Sequence, residues 1–223
     1  MAELMIYPVT EETGTGREVN KEGVCVGIDL GTTYSLMCIV DPRNVNLKES
    51  TRIPVQFITV PQESPFPYDS TIEDEKVASI VAIHEGRPYV GNNLYHLKGH
   101  PGFTYKHNMF YHWKVEMGID HHPMYPDAIS DKLDMPYKIA GGILNYMKRS
   151  FVGDHPLNNT IITVPAYFQA NHRKETLKSA EMDKIENRDN MFIDETNAHF
   201  LGFFNRLSHD DKQTLATNVK NTH

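Results

Sequence analysis

Val24-Cys25-Val26-Gly27-Ile28-Asp29-Leu30, Gly31-Thr32-Thr33 and Tyr34-Ser35-Leu36-Met37-Cys38-Ile39-Val40 form one continuous stretch, and its reading decides the fold. Two short apolar runs enclose a tip of glycine and hydroxyl residues, which predicts a β-hairpin. Gly31 lets backbone approach a ligand closely, successive N–H groups and the Thr32 and Thr33 hydroxyls can donate to phosphate oxygens, and Asp29 at the strand end can hold the waters of a Mg²⁺ ion. The same residues also suit an ordinary hairpin whose turn is closed by Asp and Thr. Spacing alone leaves both readings open.

Outward from the hairpin the pattern is uneven. Residues 1–22 are polar, mixed in charge and aperiodic, and are expected to be a flexible tail. Residues 52–125 mix short β-like pieces (IPVQFITV, VASIVAI, RPYVG) with Pro, Gly, Tyr and His, and are read as an inserted small subdomain whose core Trp113 and the tyrosines between Tyr89 and Tyr125 fill. Regularity returns at Pro136, a residue the first helical turn tolerates, followed at helical spacing by Ile139, Ile143, Leu144, Met147 and Phe151. Ile161-Ile162-Thr163-Val164 predicts a strand buried on both faces of a mostly parallel sheet. A polar helix over about 169–182, a buried strand at Met191-Phe192-Ile193 and a helix marked by Ala198, Leu201, Phe204 and Leu207 follow. Residues 208–223 read as a polar tail. The expected class is α/β, a mixed sheet flanked by helices.

Composition narrows the function. The 223 residues, 39% hydrophobic and 23% charged, can bury one sizeable core and a small subdomain. A formal charge of −7 without a basic cluster argues against nucleic acid as a partner. No apolar run approaches the roughly 20 residues of a membrane span, and the start lacks the pattern of a signal peptide, so a cytoplasmic, membrane-free protein is expected. The two cysteines, Cys25 and Cys38, are read as buried free thiols, although a hairpin could bring them face to face. The 12 histidines lack acid or cysteine partners at ligand spacing, so no zinc site is expected.

GIDLGTTYS, residues 27–35, resembles the first phosphate-binding segment of the seventy-kilodalton heat-shock (DnaK-type) chaperones nearly letter for letter. Independently, Ile161-Ile162-Thr163-Val164-Pro165-Ala166-Tyr167-Phe168 is similar to the family's ITVPAYF, with Arg173 five residues beyond, and ASIVAIHEGRPYVGNNL between them resembles the stretch leading to a catalytic lysine. The likeness runs over roughly residues 24–207. It implies the first lobe of an actin-like ATPase domain with a ribonuclease H-like core, binding ATP and Mg²⁺.

By that resemblance Gly31, Thr32, Thr33 and Tyr34 bind phosphate, and Asp29 meets the metal through water. Lys114, four residues before Gly118, brings charge to the γ-phosphate, and Glu195 orients water. Asp194 and Thr196 stand where the family has Asn and Pro, so a helix-capping role for Glu195 and like-charge repulsion with Asp194 are alternatives. Pro165 and Arg173 match positions that pass the nucleotide state onward. Nothing after Leu207 resembles the second lobe's Asp-Leu-Gly-Gly-Gly-Thr loop, so ATPase activity is expected only if a second lobe completes the site. A J-domain co-chaperone and a nucleotide-exchange factor are the implied partners, with unfolded clients reached only through a further domain. A non-enzymatic interaction protein that keeps the lobe's surface is the alternative.

Overall fold

The computed structural model describes residues 23–46, 52–119, 123–185 and 191–220. The expected tail at 1–22 lies outside them. The opening hairpin forms as its apolar alternation requires: β1 (Cys25–Leu30) runs antiparallel to β2 (Tyr34–Val40), with Ile28 opposite Met37 and Leu30 opposite Ser35. Val26, Ile28, Leu30, Met37 and Ile39 are buried on one face. The register sets Cys25 opposite Val40 and Cys38 opposite Gly27, so the thiols do not face one another; both are free, and Cys25 is exposed rather than buried.

The next strands divide between two bodies. β3 (Gln56–Phe57) pairs with one end of β2, β4 (Val60–Gln62) forms its own ribbon with β5 (Ile72–Asp74), and β6 (Val77–Ala78) pairs with the other end of β2. β7 (Val81–His84) then lies between β8 (Arg87–Val90) and β9 (Met109–Phe110) in a three-stranded sheet. A separate small core gathers Ala78, Ile80, Ala82, Tyr89, Leu94, Leu97, Phe103 and Met109. Trp113 and Tyr125, expected in that small core, belong instead to the main one.

Helix α1 (Pro136–Val152) begins on its proline and buries Ile139, Ile143, Leu144, Met147 and Phe151 in the main core. The strand β10 (Thr160–Val164) pairs in parallel with β1, Asp29 opposite Thr163. It is not buried on both faces: Ile162 is fully buried while Ile161 is 46% exposed. Helix α2 (Ala170–Glu181) packs on α1, and a Cβ added at Gly141 would stand 3.2 Å from Asp183 Oδ2 and 3.3 Å from the Ser179 carbonyl, so the glycine permits that approach.

The short β11 (Phe192–Asp194) joins in parallel to β10 and is half-buried rather than buried. The main sheet thus has the order β11-β10-β1-β2-β3 with β6 also on β2, an antiparallel part and a parallel part as expected. Helix α3 (Glu195–Arg206) carries the expected Ala198, Leu201 and Phe204, with Leu207 at its C-cap rather than in it, and buries none of its side chains. The expected polar tail contains a fourth helix, α4 (His209–Lys220), whose first turn holds Asp210 and Asp211, the favourable sign at a helix start. No helix among the described residues is long and apolar enough to cross a membrane.

Candidate functional site

β1, β10 and β11 are parallel neighbours, so their carboxyl ends open on one edge of the sheet, the usual place for a ligand in such a sheet. Asp29, Thr163 and Asp194 stand at these ends, and the Thr163 hydroxyl donates to Asp29 Oδ1 at 2.7 Å. That bond fixes the carboxylate on the sheet, beside the turn Gly31–Thr33.

The turn is pinned from beneath by Ser79, a residue that the sequence reading did not single out. Its backbone N–H donates to the Thr33 carbonyl at 2.8 Å, and its hydroxyl donates to the Gly31 carbonyl at 2.7 Å. With that proton committed, Ser79 Oγ accepts from the buried Ser35 hydroxyl at 3.0 Å. The indole N–H of Trp113 donates to the Ser79 carbonyl at 3.0 Å. Two carbonyl oxygens of the turn are therefore engaged inside the protein, and an anion at the tip meets fewer lone pairs. Gly31 is required sterically, because a Cβ there would lie 2.1 Å from the Tyr34 carbonyl oxygen. Thr33 and Tyr34 are exposed, Tyr34 by 41%.

Lys114 and Glu195 come together although 81 residues separate them: Nζ lies 2.8 Å from Oε1. The Lys114 side chain is 5% exposed and the Glu195 side chain 34%, so the lysine is not the solvated residue that most lysines are. Burying an ammonium requires a partner, and two are present: Glu195, and the face of Phe168 at 5.7 Å. Lys114 sits in a 3-10 turn, Trp113–Glu116, entered through His112 in a left-handed conformation with φ 58°. The turn's far end is tied to α2: the Gly118 N–H donates to Glu175 Oε2 at 2.7 Å, and Asn171 Nδ2 donates to the Gly118 carbonyl. Gly118 has φ +73°, which accounts for glycine there.

Pro165 is buried at the end of β10 and opens a turn in which the Phe168 N–H donates to its carbonyl at 3.0 Å. Arg173 is not a free surface arginine: Nη2 bonds Asp194 Oδ1 at 2.6 Å and Nε bonds the Phe168 carbonyl at 3.2 Å. Asp194 and Glu195 thus each have their own cation, which offsets the repulsion expected between them. Asp194 occupies the cap position of α3 without a capping side-chain bond, and the Glu195 carboxylate turns to Lys114.

One structure therefore gathers a turn with two of its carbonyls held inward, a sheet-end carboxylate and a buried lysine with its acid. These residues fit a hydrated Mg²⁺ with phosphate on one side: Asp29 would be the carboxylate for the waters, and the turn's hydroxyls and N–H groups would meet the phosphate. A direct cage is not available, since the described residues contain no group of three His, Cys, Asp or Glu able to hold a metal.

Comparison with known proteins identifies the family. The chain is 27% identical over 178 residues to the chaperone protein HscA homolog of Acinetobacter baylyi, an alignment covering 77% of this chain and 26% of that protein. The family model described as Hsp70 protein matches residues 25–188, from the first residue of β1 to just short of β11. That match takes in the turn, Lys114, the Pro165 turn and Arg173, and the chain belongs to the Hsp70 family.

Proposed function

We propose that this chain is an ATP- and Mg²⁺-binding lobe of a chaperone ATPase, built on an actin-like fold, that grips the phosphate end of the nucleotide. The observation that carries the proposal is the buried Lys114–Glu195 pair, whose 3-10 turn is joined through Trp113 and Ser79 to a turn whose carbonyls Ser79 holds inward. In this reading Gly31, Thr32, Thr33 and Tyr34 contact phosphate oxygens through N–H and hydroxyl groups. Asp29, steadied by Thr163, holds the metal's waters. Mg²⁺ supplies neutralising charge on the phosphate oxygens when bound. Lys114 sets a fixed ammonium where those oxygens gain charge, and Glu195 holds that ammonium in place and orients water. Pro165 and Arg173 link the site to whatever reads its state: Arg173 bridges the Phe168 carbonyl and Asp194.

Phosphoryl transfer needs charge stabilisation from both sides of the transferred group, and in this reading residues 31–34 act from one side. The chain by itself is expected to bind MgATP weakly and to release phosphate at the rate of buffer. Titration calorimetry checks the first expectation, with Lys114→Ala weakening MgATP about tenfold, the loss of a charge-assisted contact. Clear ATP turnover by the chain alone, abolished in Lys114→Ala, would overturn the one-lobe reading.

A second reading follows from the ion pairs. Lys114 and Arg173 are already neutralised by Glu195 and Asp194, so the lobe can stand folded without nucleotide and serve as a surface for a J-domain co-chaperone or a nucleotide-exchange factor. Absence of MgATP binding together with submicromolar capture of a J-domain would select it.

A further inference from the structure

Trp113 sits next to Lys114 in sequence, yet its bond leads elsewhere. The indole is fully buried, and its N–H reaches the carbonyl of Ser79 across 34 residues of chain. Ser79, 1% exposed, spends its remaining polar groups on the phosphate turn, 48 residues earlier: N–H to Thr33, hydroxyl to Gly31 and Ser35. A chain of buried bonds therefore runs from the lysine's own 3-10 turn to the tip of the first hairpin. Both ends are otherwise held by different elements, Gly118 by α2 and the tip by β1 and β2. Without the indole bond no hydrogen bond named above joins the lysine segment to the turn.

We propose that Trp113 is a positioning residue: through Ser79 it fixes the phosphate turn against the Lys114 segment, so that turn and lysine hold one geometry before any ligand arrives. This rests on the nucleotide reading for the identity of the ligand, but not for the mechanical link. Removing the N–H strands the Ser79 carbonyl in a dry core and frees the peptide that carries the turn's two anchors.

Trp113 is the sole tryptophan, so replacing tryptophan throughout the chain by its benzothiophene isostere removes a single N–H and keeps the ring's volume. Ser79→Ala, which removes the hydroxyl alone, is the second variant. Hydrogen exchange on the ligand-free chain is expected to quicken about fivefold or more at the amides of residues 31–35, the scale set by one buried hydrogen bond, with no change in the β7–β8–β9 sheet or in the melting temperature beyond a few degrees. Calorimetry with MgATP is expected to weaken by a similar factor. Unchanged exchange at 31–35 in the isostere overturns the proposal, whatever Ser79→Ala shows. Quickened exchange in a chain whose wild type binds no MgATP upholds the link and overturns the nucleotide reading instead.

Discussion

Helices α1 and α3 carry apolar residues at similar spacing and end in opposite situations. α1 buries Ile139, Ile143, Leu144 and Met147 completely, whereas α3 leaves Phe200, Leu201 and Phe203 each more than half exposed, at 55%, 55% and 57%. The periodicity of a helix states which side is apolar and says nothing of what covers it. α1 has a sheet, a second helix and the Lys114 turn to pack on, while α3 lies against the short β11 and β10 and is otherwise held by polar bonds, from Glu195 to Lys114 and from Asn205 and Arg206 to Ile53 and Arg52. The two helices therefore contribute to stability on different scales.

The sharpest way to break this contrast is truncation in α1. Leu144→Ala removes a fully buried side chain and is expected to cost about 3 kcal/mol, within the range for such deletions, measured by urea unfolding. A loss below about 1 kcal/mol would mean that α1 is not the organising helix.

The second effect lies where α1 meets the end of α2. Asp183 Oδ1 accepts from Asn145 Nδ2, Lys148 Nζ donates to the Asp183 carbonyl at 2.8 Å, and the buried Oδ1 of Asn145 has no partner among the described residues. Burial pushes the Asp183 carboxyl up to about 6 from its ordinary 3.8, against the opposing pull of Asn145 and Lys148. The folded chain thus keeps a proton that the unfolded chain releases as pH rises above about 4. The stability this group allows is full below the unfolded value and declines as pH climbs through about 6. Asp183→Asn removes the titration, and at pH 7.5 the variant is expected to be about 2 kcal/mol more stable than wild type, with the gap closing toward pH 4. Thermal melts across that window check it; parallel curves would show that Asp183 is already well solvated.

The smallest effect belongs to α3. Leu201→Ala is expected to shift stability by less than about 0.5 kcal/mol, as exposed positions do. A loss near that of Leu144→Ala would reveal cover over α3 and remove the contrast.

Much of this was legible in the order of residues. The alternation in 24–40 foretells the hairpin, Pro136 foretells the start of α1, and the run before Pro165 foretells β10, because each signal is local. Burial was less legible. Ile161 lies in an unbroken apolar run and is nevertheless half open, since which face of β10 is covered depends on elements far away in the chain. The site divides along the same line. For Asp29, Thr32 and Thr33 spacing suits a phosphate turn and an ordinary hairpin turn equally, and Lys114 stands out only by resemblance, because its burial depends on Glu195 and Phe168. Ser79 gave no signal at all: a serine between apolar residues looks like any other, and its four bonds reach Gly31, Thr33, Ser35 and Trp113, all more than 30 positions away. Trp113 was visible as a large side chain to be buried, while its indole N–H, the part that bonds Ser79, leaves no periodic trace.

The pairing of β1 has a consequence for how the chain comes off the ribosome. Its antiparallel neighbour arrives within a few residues, but its parallel neighbour is 134 residues later, the separation between Asp29 and Thr163. At ordinary translation speed that interval is on the order of ten seconds. For that time one edge of the hairpin carries unpaired N–H and C=O groups beside Val26 and Ile28, a template that any extended segment can join. The edge of the nascent hairpin that awaits β10 is thus open to mispairing until Thr160–Val164 has been made.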